Sequence, residues 1–169
     1  MTNQESEHPI SLDELYRTVI LDHYRNPRNK SELEDSNIAA QGLNPSCGDE
    51  IRIAVKIEDG RFTSVHFTGQ GCSISQSSAS MLTEQANGQK VENAQVLAKE
   101  VQRMLTNENF NVDAVDLGDL ESLHGVARFP VRIKCALLAW KVLEQIMAEA
   151  GGEKVELDSD IQTQIASAS

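Results

Sequence analysis

Residues Ile51–Gly69 read IRIAVKIEDGRFTSVHFTG, and this run decides the fold. Ile51, Ile53, Val55 and Ile57 alternate with Arg52, Ala54, Lys56 and Glu58, the pattern of a strand with one buried face. A turn at Asp59-Gly60 sends the chain back through Val65 and Phe67, so the run is a hairpin. A two-residue loop would put Val65 and Phe67 on the face opposite the isoleucines. A three-residue loop, Glu58-Asp59-Gly60, puts them on the same face. The expectation is therefore the three-residue loop, with Gly60 left-handed as a bulge glycine and Phe62 on the other face.

Working outward, SNIAAQGL (residues 36–43) adds an earlier strand. Upstream, Ser11 and Glu14 fit a capping box, Ile10 and Leu15 a hydrophobic staple, and Leu12, Leu15, Val19 and Ile20 recur at helical spacing. That helix stops near Asn26, because Pro27 disfavours a helical residue before it. Downstream, Ser73 and Gln76 fit a second capping box, and Asn87-Gly88 is a stop signal. Small residues from Ser77 to Ser80 permit close approach by another element. Val91, Ala94, Leu97, Ala98, Val101, Met104 and Leu105 mark an amphipathic helix. Pro130 opens a last helix that runs to about Ala148. Helix, sheet, then helices is an α+β pattern: a small antiparallel three-stranded sheet with helices packed on one face. The expected organisation is a disordered segment over 1–9, one domain over 10–150 with an insertion at 107–128, and a mobile polar tail over 151–169.

Composition bounds the function. The chain of 169 residues is long enough for one domain with a core. Its formal net charge of −11 argues against nucleic acid or an anionic membrane as the main partner. No apolar run is long enough to span a bilayer, and the expected compartment is the cytoplasm. Three cysteines are too few and odd in number for a disulfide framework, so the thiols are expected to be reduced.

Those cysteines occupy unlike settings. Cys47 sits in the turn NPSCGDEI, Cys72 follows GQG at the end of the hairpin, and Cys135 lies in the first turns of the last helix. Their spacing matches no zinc finger. Exposed N–H groups at a helix start do lower a thiol pKa, and Cys72 and Cys135 are placed for that. Asp49 offers an oxygen two residues from Cys47. Three thiolates and one carboxylate would suit tetrahedral zinc and leave about −2 formal charge, which Arg132 and Lys134, and less directly Arg128, could offset. Taken singly, each cysteine is more readily core filler than ligand, Asp49 a turn or cap residue, and Arg132 and Lys134 most simply a solvated helix face. His23 reads as a packed core histidine, His66 as facing away from Val65, and His124 as an isolated candidate ligand.

The stretches LDHYRNPRN, NPSCGDEI, GQGCSISQSSASML and FPVRIKCALLAW, in this order, resemble the SufU-type iron–sulfur cluster assembly proteins, relatives of IscU and of the N-terminal part of NifU. The resemblance runs from about Leu12 to Ala148 and implies an IscU/SufE-like fold. It implies a metal site of Cys47, Asp49, Cys72 and Cys135. In the scaffold type a histidine precedes the third cysteine; here that residue is Lys134, which together with the insertion points to the SufU type. Such proteins are zinc-dependent sulfurtransferases that take persulfide sulfur from a SufS-type pyridoxal-phosphate cysteine desulfurase and serve downstream cluster assembly proteins. The implied mechanism has a partner histidine displace Cys47 from zinc, so that the freed thiolate accepts sulfur while Arg132 holds a carboxylate. The alternative is a scaffold that binds iron and carries a transient [2Fe–2S] cluster on the same residues. A purely structural zinc site is the third reading.

Overall fold

A computed structural model of the chain describes residues 11–106, 116–151 and 162–166. The expected disordered segment 1–9, the staple residue Ile10, the first part of the insertion and most of the tail fall outside them.

Helix α1 spans Leu12–Arg25 and starts as expected, with the Ser11 hydroxyl accepting the Glu14 N–H. Its buried residues are Ile20 and His23; Leu12 and Leu15, read as part of the packed stripe, are exposed. Only the C-terminal half of α1 lies deep against the next helix, so its first turn has no core to enter. Strands β1 (Ile38–Asn44), β2 (Asp49–Glu58) and β3 (Arg61–Gln70) form the expected antiparallel meander.

The hairpin corrects one detail. Glu58 pairs with Arg61, so the loop has two residues, and both Asp59 and Gly60 have positive φ, as a type I′ turn requires. The extra residue lies beyond the turn, as a bulge between Lys56/Ile57 and Phe62–Ser64. The bulge restores the facing of Val65 and Phe67 with the isoleucines. The two-residue turn itself pairs Phe62 with Ile57 and so puts it on that face, where it is fully buried.

A fourth strand, β4 (Gln162–Ala166), pairs antiparallel with β1, giving the order β3-β2-β1-β4. It lies in the segment expected to be a polar tail. The opposite edge of the sheet is covered by connecting chain: Asn29 O accepts the Phe67 N–H, and Gln89 O accepts the Phe62 N–H.

Helix α2 (Ser73–Ala86) is the centre of the molecule, with every residue from Ser75 to Thr83 buried. Its hydroxyls need partners there and have them. Ser77 donates to Ile74 O, Ser78 to Ala136 O, and Thr83 to Ser80 O. Helices α3 (Val91–Leu105) and α4 (Pro130–Gly151) follow, joined by 3₁₀ turns over Gly118–Arg128. The serines of α2 let α4 come close, and the fully buried Trp140 donates its indole N–H to Ser78 Oγ at 3.1 Å. Loss of a buried Trp side chain costs about 3–5 kcal/mol. Helices α2 and α4 lie on one face of the sheet and carry the first turns of their ends toward the β1–β2 turn.

Candidate metal centre

The β1–β2 connection is a tight turn held by Asn44, whose side chain is buried. Its Oδ1 accepts the Ser46 N–H at 3.1 Å, and its carbonyl accepts the Gly48 N–H at 2.9 Å. Gly48 takes φ +72°, which ends the turn and starts β2 at Asp49. Cys47 is therefore exposed at the tip, while Asp49, two residues on, is 1% exposed.

Asp49 is the hub. Its Oδ1 accepts the Cys72 backbone N–H at 2.9 Å. Its Oδ2 accepts the Cys47 thiol at 2.9 Å and lies 3.6 Å from Cys72 Sγ. Burial pulls this carboxyl upward, but the bonds from Cys47, Cys72 N–H, Cys135 and Cys72 outweigh it and hold its pKa below the ordinary carboxylate value. The approach depends on Gly71: a Cβ there would stand 2.4 Å from Asp49 Oδ1 and 2.6 Å from Ser75 Oγ.

Cys72 is itself the N-cap of α2, its sulfur accepting the Ser75 N–H at 3.5 Å. The sequence pattern had put the cap at Ser73; a thiol in the cap position looks unlike the usual Ser or Asp and hides the start. Cys135 is 1% exposed, in the second turn of α4 rather than at its start, and its sulfur reaches back to Val131 O at 3.8 Å. The Cys47 and Cys135 sulfurs are 3.7 Å apart. Burial first, then the Asp49 hydrogen bond, raises the Cys47 pKa; the same causes, in the same order, push Cys135 far above the thiol range.

Cys47, Asp49 and Cys135 place one ligand atom each within 4.8 Å of one another, a cluster that could hold a metal. Zinc–ligand distances of about 2.3 Å to sulfur and 2.1 Å to oxygen give tetrahedral edges of roughly 3.7 Å (S···S) and 3.6 Å (S···O). The 3.7 Å Cys47–Cys135 and 3.6 Å Cys72–Asp49 separations match these edges. The shorter Cys47–Asp49 contact is that of a protonated thiol on a carboxylate. The cluster does not include Cys72, whose sulfur stands beside Asp49 but not within 4.8 Å of all three ligand atoms; Cys47, Asp49 and Cys135 are the residues whose placement fits zinc.

The other singled-out residues lie apart from this cluster. Arg132 makes no ion pair with Asp49 among the described residues and lines the cleft on the Cys72 side. Lys134 lines a smaller cleft beside Cys47. Arg128 pairs with Asp13 at 3.2 Å. His124 joins no ligand cluster among the described residues. His66 accepts from or donates to Ser31 at 2.8 Å.

His23 is the packed core histidine expected, with a defined network. The Arg28 N–H donates to Ser80 Oγ, which leaves the Ser80 hydroxyl to donate to Nδ1, and Nε2–H to donate to Asp119 Oδ2 at 2.8 Å. Glu84 stands close by. Both ring nitrogens are satisfied, so the trio ties α1 to α2 and to the 3₁₀ segment. Gly71 is one of the glycines, with Gly48 and Gly69, that the sequence marks for close backbone approach to the thiols, and its contact with Asp49 agrees with that; Asn44, which shapes the turn, has no sequence signal beyond the NPS before Cys47.

Comparison with known proteins places this geometry. The family model described as NifU-like N terminal domain matches residues 15–136. The zinc-dependent sulfurtransferase SufU of Bacillus subtilis (strain 168) is 47% identical over 142 residues, 84% of this chain and 95% of that protein. The iron–sulfur cluster assembly scaffold protein IscU of Thermotoga maritima is 37% identical over 133 residues, 79% of this chain and 92% of that one. A crystal structure described as an iron–sulfur cluster assembly scaffold protein for the SUF system, from Fervidobacterium islandicum AW-1, superposes with a TM-score of 0.72 at 29% identity, covering 76% of this chain and 93% of its own.

Proposed function

The chain belongs to the NifU-like N-terminal domain family, and from that premise we propose that it is a zinc-dependent sulfur acceptor in iron–sulfur cluster assembly. It takes persulfide sulfur from a SufS-type cysteine desulfurase in the cytoplasm and passes it to downstream assembly proteins. Residues 10–150 act as one unit. No helix among the described residues is long and apolar enough to cross a membrane.

Cys47, Asp49, Cys72 and Cys135 are the metal ligands of this reading. Bound there, zinc would keep the thiols ionised at neutral pH. The observation that carries the reading is the asymmetry of the thiols: Cys47 is exposed on a turn, whereas Cys135 is buried in a helix. A turn opens at lower free-energy cost than a packed helix. Cys47 is thus the acceptor. Its thiolate attacks the terminal sulfur of the desulfurase's cysteine persulfide. A new S–S bond forms at Cys47 Sγ, the partner's S–S bond breaks, and the partner's cysteine leaves as a thiolate. No net oxidation occurs; one sulfur atom changes hosts. Arg132, which lines the cleft that reaches Cys72, would hold a carboxylate of the partner.

A persulfide-transfer assay with purified desulfurase and cysteine, with and without zinc, tests the proposal. Sulfur on the zinc-loaded chain supports it, and a loaded chain that accepts none refutes it. The second reading, a [2Fe–2S] scaffold, is favoured by the scaffold name of the 37% identical relative. A brown chain that transfers its cluster to apo-ferredoxin would establish that reading instead; tight stoichiometric zinc without colour would not.

A further inference from the structure

Two clefts flank the metal centre, one on each side of the start of α4. The smaller, about 250 Å³, lies beside Cys47 and Lys134. The larger, about 600 Å³, opens on the other side and reaches Cys72 between α1, the 3₁₀ segment and α4. Its wall carries three arginines, Arg17, Arg128 and Arg132, against a single aspartate, Asp13. This is a local excess of positive charge on a chain whose formal net charge is −11. Asp13 is already paired with Arg128. Arg17 and Arg132 have no side-chain hydrogen bond or ion pair among the described residues. The rest of the wall is largely apolar, with Ile20, Val126 and Phe129, and the Phe129 ring is 55% exposed. Arg128 lies over that ring, its guanidinium carbon 5.7 Å from the centroid.

We propose that this cleft is an anchoring site for an acidic, partly apolar segment of the sulfur-donating desulfurase, separate from the Cys47 side where sulfur is exchanged. The inference rests on the sulfur-acceptor reading above. Unpaired arginines set in an apolar wall recognise carboxylates by bidentate hydrogen bonds, and neighbouring apolar surface takes the side chains beside them. A chain this acidic would otherwise repel an acidic partner surface. The cleft confines recognition of that surface to the one flank where Cys47 is left clear. Anchoring on the Cys72 side holds the two proteins in register while the Cys47 turn moves.

The site predicts a split in kinetic effects. Arg17 is exposed, remote in sequence from every proposed ligand and outside the transfer chemistry, so Arg17→Glu leaves the centre intact. Desulfurase turnover is measured against concentration of the full-length zinc-loaded chain, at low and at moderate salt. For Arg17→Glu the half-saturating concentration rises about tenfold and the maximal turnover is unchanged. Arg17→Lys recovers only part of the loss, because it keeps the charge but not the bidentate hydrogen bonds. The wild type weakens with salt more than Arg17→Glu does. Zinc content and circular dichroism equal to wild type show that the variant is folded.

A half-saturating concentration that does not move, or a fall in maximal turnover alone, overturns the inference while leaving the sulfur-acceptor reading standing. Competition by free dicarboxylates as strong as that of an acidic peptide would show a small-molecule site and overturn it too. A wild-type chain that neither stimulates the desulfurase nor accepts sulfur refutes the functional reading, and this inference with it.

Discussion

The Asn44–Asp49 turn and the second turn of α4 each bring one cysteine to the same point, 3.7 Å apart, yet they are built to opposite ends. Cys47 is exposed and is held by backbone bonds to Asn44 and by one carboxylate. Cys135 is 1% exposed in a helix that also carries the fully buried Ala136, Leu138 and Trp140. Two chemically identical thiols thus differ in what must move to displace them: a short turn in one case, the core in the other. A centre that must hold metal and also free a thiol needs both kinds.

The sharpest way to break that contrast is to remove each sulfur in turn. Cys47→Ser is expected to abolish sulfur acceptance while retaining more zinc than Cys135→Ser. Cys135→Ser is expected to lose most of the metal, and with it about 3 kcal/mol of stability at free zinc a hundredfold above Kd. Metal analysis and thermal melts on both variants measure this. Equal zinc loss with identical melting shifts would erase the distinction.

Gly71→Ala attacks the hub between the two regions. The new methyl would stand 2.4 Å from Asp49 Oδ1, so the carboxylate must shift. Overpacking of this kind costs about 1–3 kcal/mol. Displacing a ligand by such a contact should weaken zinc by about ten- to a hundredfold, read by chelator competition.

pH separates the empty from the loaded state. In the metal-free chain both Cys47 and Cys135 have raised pKa values, so folding favours the protonated thiols. That contribution is present at low pH and is lost as pH rises past the ordinary thiol range. Metal binding needs the thiols ionised, so zinc affinity climbs with pH. Melting curves over a pH series, with and without chelator, should therefore diverge toward alkaline pH: down for the empty chain, held up for the loaded one.

The smallest expected effect is a control in the rigid region. Gln76 is 2% exposed, one helical turn from Cys72, and both of its side-chain polar atoms lack partners among the described residues. Gln76→Met keeps the volume and removes the unmet groups. A gain of about 1 kcal/mol in thermal stability, with sulfur acceptance unchanged, is the expected result.

How much of this was legible in the sequence depends on the kind of constraint. Alternation at Ile51, Ile53 and Val55 fixes which face is buried. It does not fix where the hairpin's extra residue sits, and a bulge past Phe62 satisfies it better than a longer loop. The small residues Ser77 to Ser80 read as a place of close approach, and α4 does approach there; periodicity measures hydropathy and does not show that the hydroxyls bond back to the helix or to Ala136. Leu12 and Leu15 fit the helical stripe, yet packing against the core begins only at Val19 and Ile20. Strand β4, QTQIA, carries no apolar alternation and is defined by pairing with β1. The convergence of Cys47, Asp49 and Cys135 joins residues 88 apart in sequence, a distance that spacing alone does not bridge. The residue types suggested the set, and the family motifs around each cysteine made it specific.

The central claim is that Cys47 alone is the acceptor. Mixing the zinc-loaded chain with desulfurase and cysteine, then alkylating and mapping persulfides by peptide mass spectrometry, tests it directly. One added sulfur is expected on the peptide containing Cys47 and none on those containing Cys72 or Cys135. A persulfide on Cys135, or on all three thiols equally, would contradict it.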